Sequence, residues 1–351
     1  MSSPERGLPA VPNLPEPPRV RLVQLPTPVH RLDRLSDDLG IDLWIKRDDL
    51  TGFALGGNKG RKLEFLMAEA LAEGATAIVS MGATQSNFLR QLGAACSVFG
   101  LKCAAAVMRM PYYGAAGPPV RPDGRPYEGE ADGGNVLIDE ILGVDLRLFP
   151  DGDWNELARC SEAVALEYER EGHKVYRIPI GGSSPLGAYS FLLAALETTE
   201  QAGRFDVVVC PTSSGSTHAG LAYAFHGTGT RVIGISCDPD PDMELRADVA
   251  DLCRDLDALT GLDRRVRLED VDVRMDYFGP GYSIPSEAGN AAIRMMARRE
   301  GVFLDPTYSG KVFSAVVDLA RKGEIRGRTL FWHTGGTPLL FVADRESLVR
   351  G

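Results

Sequence analysis

The sequence predicts an α/β protein of doubly wound architecture built on parallel sheets, and three observations carry that prediction. Apolar runs of strand length recur along the chain. They are Ala77 to Gly82 (AIVSMG), Cys103 to Met108, Val175 to Ile180 (VYRIPI), Asp206 to Cys210 (DVVVC), Arg231 to Ser236 (RVIGIS) and Thr329 to His333 (TLFWH). Helical sequence accompanies each of them, and this beat is the signature of parallel sheets with crossover helices. Finally, loops rich in glycine and small polar residues follow several of these segments, where open α/β sheets bind ligands.

At 351 residues the chain is long enough for two domains, at ~100–200 residues each, or for one large α/β unit carrying an inserted lobe. Hydrophobic residues make up 44% and charged residues 25%, an ordinary globular composition. The net charge of −10 has no compensating basic block, so nucleic acid and anionic membrane are excluded as expected partners. The first eighteen residues, MSSPERGLPAVPNLPEPP, are Pro-rich and polar without an apolar segment, and read as an extended arm rather than a signal peptide. No apolar run approaches the ~20 residues of a membrane span. Cys96, Cys103, Cys160, Cys210, Cys237 and Cys253 are dispersed without a CxxC pair and read as reduced core residues of a cytoplasmic protein, with no metal site expected.

Leu63, Leu66, Met67, Ala70 and Leu71 recur at helical spacing and predict a helix from about Gly60 to Glu73. A second helix is predicted from about Ser86 to Val98. The stretch Pro111 to Asn135, crowded with Gly and Pro, reads as a long loop serving either as a surface excursion or as a lid or subunit contact.

Four loops could carry chemistry. PTSSGSTHAG (Pro211 to Gly220) follows a strand and opens a helix. Its backbone N–H groups and the hydroxyls of Ser214, Ser216 and Thr217 could hold an anion, although an ordinary Ser/Thr helix cap has the same appearance. The Walker lysine is absent, which suits an anchored phosphate better than a transferred one. GGNKGRK (Gly56 to Lys62) sets Lys59 at a helix start, where the helix dipole and the neighbouring Arg61 and Lys62 would disfavour its protonated form. Lys59 and Lys62 lie one turn apart, so spacing does not choose between them. GATQSN (Gly82 to Asn87) presents Ser86 and Asn87 at the next helix start, either as a carboxylate or phenolic-oxygen site or as a cap. HTGG (His333 to Gly336) completes the set, and Tyr282 and Tyr308 lie in Gly/Pro loops as packing residues or acid–base groups.

Taken in order, GGNKGRKLEFLMAEAL, GATQSN, GSTHAG, PGYSIP, DPTYSGK and HTGG closely resemble the family of D-cysteine desulfhydrase, 1-aminocyclopropane-1-carboxylate deaminase and L-cysteate sulfo-lyase. The resemblance runs from about Pro26 to Phe341. It implies a tryptophan-synthase-β-like enzyme of fold type II binding pyridoxal 5′-phosphate between two lobes. Residues 1–59 and 180–351 would form the larger cofactor-binding lobe, and 60–179 the smaller inserted one. Lys59 would be the Schiff-base lysine and Asn87 the partner of the cofactor's phenolic oxygen. Ser214, Gly215, Ser216 and Thr217 would hold the phosphate. Ser86 would lie beside the substrate's α-carbon and carboxylate, with Tyr282 and Tyr308 facing the substrate from the other side. A homodimer is the family's habit.

Two positions choose within the family. Its deaminases place a glutamate after the second tyrosine and a leucine in the HxGG segment; here the residues are Ser309 and Thr334, so a hydroxyl would meet the pyridine nitrogen and weaken the electron sink. That favours β-elimination from a small amino acid. A third position departs from the family: Phe88 stands where relatives carry His or Gln near the substrate carboxylate, and it makes no hydrogen bond there. The alternatives are cyclopropane deamination, another reaction on the same cofactor such as β-replacement or racemisation, and a non-catalytic binding protein. A nucleotide-dependent reductase is disfavoured by the lack of a GxGxxG after a strand.

Overall fold

A computed structural model describes residues 14–112, 120, 124, 132–240 and 244–349. In chain order the first half contains β1 (Val29–Arg31), α1 (Asp33–Leu39), β2 (Asp42–Arg47), α2 (Lys59–Ala72), β3 (Ala77–Ala83), α3 (Asn87–Phe99), β4 (Lys102–Met108), α4 (Gly134–Ile141), β5 (Asp145–Leu148), α5 (Trp154–Arg170) and β6 (Val175–Arg177). The second contains α6 (Pro185–Ala202), β7 (Val207–Thr212), α7 (Ser216–Phe225), β8 (Arg231–Ser236), α8 (Glu244–Thr260), β9 (Asp272–Arg274), α9 (Glu287–Glu300), α10 (Ser309–Arg321), β10 (Arg328–His333) and α11 (Arg345–Val349).

The strands form two sheets. The larger has the order β1-β2-β10-β7-β8-β9 and the smaller β5-β4-β3-β6. All pairings are parallel except β1 with β2, an antiparallel edge that the prediction of purely parallel sheets did not include. The smaller sheet's strands fall between β2 and β7 in sequence, so that lobe is inserted in the larger one.

Alternation along each strand supplies a core on both faces. Val209, Ile233 and Phe331 face Ile293 of α9 and Phe313 of α10, while Val208, Cys210, Leu330 and Trp332 face α6, α7 and α8. In the smaller sheet Ile78, Ala105 and Val107 meet α2 and α3, and Ala77, Val79 and Ala104 meet α5. Such two-sided burial explains why these strands read as unbroken apolar runs.

Two predicted bounds change. Val175 to Ile180 is strand only to Arg177; Pro179 has no N–H to extend a ladder, and Ile180–Gly182 forms a tight turn. The predicted loop from Pro111 to Asn135 ends earlier, because α4 already begins at Gly134 and Asn135 is buried within it. Most of that stretch lies outside the described residues. Strands β1, β2, β5 and β9 are additional. All six cysteines are free, and all but Cys160 are buried.

The topology places the site. In the larger sheet the chain runs from β7 to β8 and β9 on one side and returns as β10 on the other; in the smaller it runs from β3 to β4 and β5 and returns as β6. Strand order therefore reverses between β7 and β10 and again between β3 and β6, and ligands bind at the carboxyl ends of such switch points.

Candidate active site

Loops from both switch points line one cavity of ≈ 860 Å³. Gly82, Ala83, Ser86 and Asn87 come from the end of β3, Gly181 and Ser183 from beyond β6, Thr212 to Gly215 from β7, and Thr334 and Gly335 from β10. Of the residues singled out from the sequence, Lys59, Ser86, Asn87, Phe88, Ser214, Gly215, Thr217, Tyr282, Tyr308 and Thr334 all line it. Ser216 and Ser309 do not.

Lys59 opens α2, and its position is set by the turn before it. Gly56 has φ 74°, and a Cβ there would lie 1.9 Å from the Asp49 carbonyl oxygen, so glycine is required. Asn58 N–H donates to the Thr334 carbonyl at 3.0 Å, tying this turn to the loop after β10. Burial brings the Lys59 amine down to about 8, partly opposed by a hydrogen bond with Lys62. This corrects the sequence argument: Arg61 is not the cause, since its guanidinium is engaged by Asp48 and Glu197. Lys62 lies off the cavity, buried, donating to the Gly181 carbonyl at 3.0 Å, and burial followed by the charge of Lys59 depresses it well below the usual lysine range. Gly181 itself has φ 62°; a Cβ there would sit 2.6 Å from Ser214 Oγ and 3.8 Å from Lys59 Nζ. Close backbone approach at this point keeps space open beside the lysine.

The second group forms an anion cradle. Gly215 (φ 87°) caps α7, and the loop before it ends β7. Thr217 Oγ1 accepts from Asn58 Nδ2 at 3.1 Å, which links the cradle to the lysine turn. Ser216 differs from expectation: its N–H donates to Ser183 Oγ at 3.2 Å, and its own hydroxyl is buried away from the cavity with no partner among the described residues. Thr212 Oγ1, which sequence reasoning missed, is likewise buried without a partner, and this residue does line the cavity. Neutral hydroxyls gathered at a helix N-terminus match a phosphate group.

Ser86 is both cap and wall. Its Oγ accepts from Phe88 N–H (3.2 Å) and Leu89 N–H (3.3 Å), leaving its own O–H free to donate. Asn87 Oδ1 accepts from Asn135 Nδ2 at 3.0 Å and from Arg90 at 3.4 Å, so the amide NH₂ is the end left for a ligand. Phe88 packs with Leu63, Leu66, Leu89 and Leu92, and its ring edge stands over Gly182, where a Cβ would come within 2.9 Å. It is therefore a core residue that shows one edge to the cavity.

Tyr282 and Tyr308 share a hydroxyl–hydroxyl hydrogen bond with ring centroids 5.8 Å apart. Burial raises both phenols far above the usual tyrosine range, so each keeps its proton at neutral pH. Lys311 Nζ donates to the Gly281 carbonyl at 2.8 Å, and Ser283 is held at φ 57°, which together fix the loop that carries Tyr282. Ser309 disagrees with its expected role. Its hydroxyl donates to Asp305 Oδ2 at 2.5 Å and its N–H to the same oxygen at 2.9 Å, because Asp305 caps the start of α10. Thr334 is the hydroxyl that remains at the cavity wall. A depressed amine, an anion cradle beside the unpartnered Thr212 hydroxyl, an amide and a free hydroxyl together fit an aromatic aldehyde phosphate.

The chain is 38% identical over 332 residues to a D-cysteine desulfhydrase of Yersinia enterocolitica, covering 93% of this chain and 96% of that one. It is 37% identical to a D-cysteine desulfhydrase of Salmonella paratyphi B, with the same coverages. Among solved structures, one described as an ACC deaminase homologue superposes with a TM-score of 0.81 at 34% identity, covering 93% of this chain and 97% of the other. A hydrogen-sulfide-producing enzyme of Fusobacterium nucleatum shares the fold at a TM-score of 0.60 and 15% identity, over 89% of this chain and 96% of that one. The family model described as pyridoxal-phosphate dependent enzyme matches residues 20–335, and with the lysine, cradle and switch-point geometry already in place, the chain belongs to that family.

Proposed function

We propose that the chain is a lyase acting on a small β-substituted amino acid, D-cysteine or a close analogue, and releasing a 2-oxo acid and ammonia. The observation that carries this reading is the Lys59 amine, brought down to about 8 at a cavity wall shared with two protonated phenols. Pyridoxal phosphate, when bound, supplies the electron sink that makes the substrate's α-hydrogen acidic.

Thr217, Ser214 and the N–H groups at the start of α7 would hold its phosphate, Asn87 its phenolic oxygen and Thr334 its ring nitrogen. Lys59 would hold the cofactor and, as a neutral amine, would take the proton from the substrate Cα. The pair from the Cα–H bond would form Cα=Cβ as the Cβ–X bond breaks with its pair on X, and Tyr282 or Tyr308 would give X its proton. The freed enamine takes up water and loses ammonia to give the 2-oxo acid. Ser86 and the N-terminus of α3 receive the substrate carboxylate.

Charge narrows the substituent. Among the described residues the charged groups lining the cavity, Lys59 apart, are carboxylates, including Asp153, Asp238 and Asp240, and burial brings His218 down to about 4 and keeps it neutral. Thiol or chloride suits this lining better than a sulfonate. Cyclopropane deamination is the second reading, favoured by the 34% identity to the ACC deaminase homologue; Ser309, where the deaminases carry a glutamate, argues against it. We also read residues 60–179 as the inserted lobe, the working unit as a homodimer and the compartment as cytoplasmic.

The test is a panel of both hands of cysteine and β-chloroalanine, with 1-aminocyclopropane-1-carboxylate, scored for 2-oxo acid and ammonia. Pyruvate from one hand of the first two is expected. Product from the cyclopropane alone would move the chain to the second reading.

A further inference from the structure

We propose that Trp154 is the residue that sets the size of the β-substituent, an inference that rests on the lyase reading above. Nothing in the sequence motifs marks this tryptophan. It is the first residue of α5, in the segment of the smaller sheet, and its backbone is pinned by a reciprocal cap: Glu156 N–H donates to Asp153 Oδ1 at 2.7 Å and Asp153 N–H to Glu156 Oε2 at 3.2 Å. The indole Nε1–H donates to Asp238 Oδ2 at 2.8 Å, across to the loop that follows β8 of the larger sheet. Asp238 is 6% exposed, so this is a sheltered, charge-assisted bond.

The indole also stands edge-on to Tyr282, with centroids 5.5 Å apart and an interplanar angle of 87°. Tyr282 in turn stands edge-on to Tyr308. Three rings that all line the cavity therefore form one continuous edge-to-face wall from α5 to α10. On its other side the tryptophan packs with Leu157 and Met108. A ring held at its nitrogen, its edge and its base has little room to swing aside. A small substituent fits in front of such a wall, and a large one meets a side chain that does not yield.

The wall also joins the two sheets across the cavity, and the phenols proposed to donate the proton are part of it. Phenylalanine at 154 keeps a ring and loses the bond to Asp238. Alanine or leucine removes the ring's bulk.

The experiment uses the holoenzyme and its Trp154→Ala, Trp154→Leu and Trp154→Phe variants. Two readouts are taken: kcat/KM for S-benzylcysteine relative to β-chloroalanine, and calorimetric Kd for phenylalanine relative to alanine, neither of which has a leaving group. The alanine variant should shift both ratios toward the larger ligand by about tenfold or more, the scale at which apolar pockets discriminate by size. Leucine keeps the contacts to Leu157 and Met108, so it gives the same shift if the alanine variant does not fold; phenylalanine should leave the ratios near wild type. Unchanged ratios in folded alanine or leucine variants overturn the proposal. If wild type turns over neither substrate while the binding ratio still shifts, the lyase reading fails and the role of Trp154 stands.

Discussion

The choice between Lys59 and Lys62 turns on a difference the sequence does not contain. Both occupy the same face of α2, yet one amine lines the cavity and the other is spent on the Gly181 carbonyl. Lys59→Ala should abolish the visible absorbance of the lysine-linked cofactor, and Lys62→Met should keep it. Loss in the Lys62 variant alone would reverse the assignment. Because burial brings the Lys59 amine down to about 8, the rate at which apo-protein captures pyridoxal phosphate should rise as pH passes through about 8 and then level, as stopped-flow absorbance would record. Thr217→Val removes a hydroxyl from the cradle and should weaken cofactor retention by roughly 1.5–3 kcal/mol, the value of a hydrogen bond to a charged group; cofactor occupancy unchanged after dialysis would count against the cradle. Motif spacing made most of this site legible, since residue types in loops at strand ends report directly on ligand chemistry. Ser309 was misread because sequence does not show that Asp305 takes up its hydroxyl. Trp154 was missed because its partners, Asp238 and Tyr282, are distant in the chain and meet it only through the fold.

Elements were legible in proportion to how far both faces of a strand are buried. Runs such as Val207 to Cys210 need no partner to be recognised, whereas β2 (DLWIKR) carries two cations and reads as surface. Lys46 is fully buried there because Glu197 accepts from it at 2.6 Å and Gln201 at 2.7 Å. The start of α4 was hidden in the glycine-rich stretch for a similar reason, its buried face being supplied by tertiary contacts to Gln85. This helix also carries Asp139, whose carboxylate is buried without a hydrogen-bond partner among the described residues. Burial raises it from 3.8 to about 8, with Arg90 opposing the shift. A carboxyl whose folded pKa is raised favours the fold fully below its unfolded pKa, and that contribution is lost as pH rises toward about 8. Asp139→Asn, nearly isosteric and uncharged, should therefore raise the thermal midpoint relative to wild type at pH 8 and change it little at acid pH. An equal effect at both ends of that range would mean that Asp139 is ionised throughout.

At the scale of the whole molecule, a buried ionic junction ties the helix that Lys59 opens to two strands of the larger sheet. Glu197 of α6 accepts from Arg61 of α2 through both oxygens, at 2.8 and 2.9 Å, and from Lys46 of β2. Arg61 also donates to Asp48, which accepts from Trp332 of β10 at 2.8 Å. Four elements, two from the start of the chain, one from its middle and one from its end, are thus tied together beside the turn that carries Lys59. No local pattern reveals this, because each residue taken alone reads as a solvated charge. Burial by itself would raise the Glu197 carboxyl, but Arg61 and then Lys46 overcome it and bring it from 4.5 down to about 2. A carboxylate depressed in this way stabilises the fold above its unfolded pKa and loses that contribution as pH falls through the folded value. Removing one partner of a buried pair costs about 3–5 kcal/mol, because the cations left behind stay buried and uncompensated. Glu197→Ala should therefore lower the urea midpoint strongly at neutral pH. The gap between Glu197→Gln and wild type should narrow as pH falls from about 4.5 toward about 2, where the wild-type carboxylate is itself being protonated. A gap that stays constant across that window would show that Glu197 contributes by shape and hydrogen bonding alone, and that the junction does not depend on its charge.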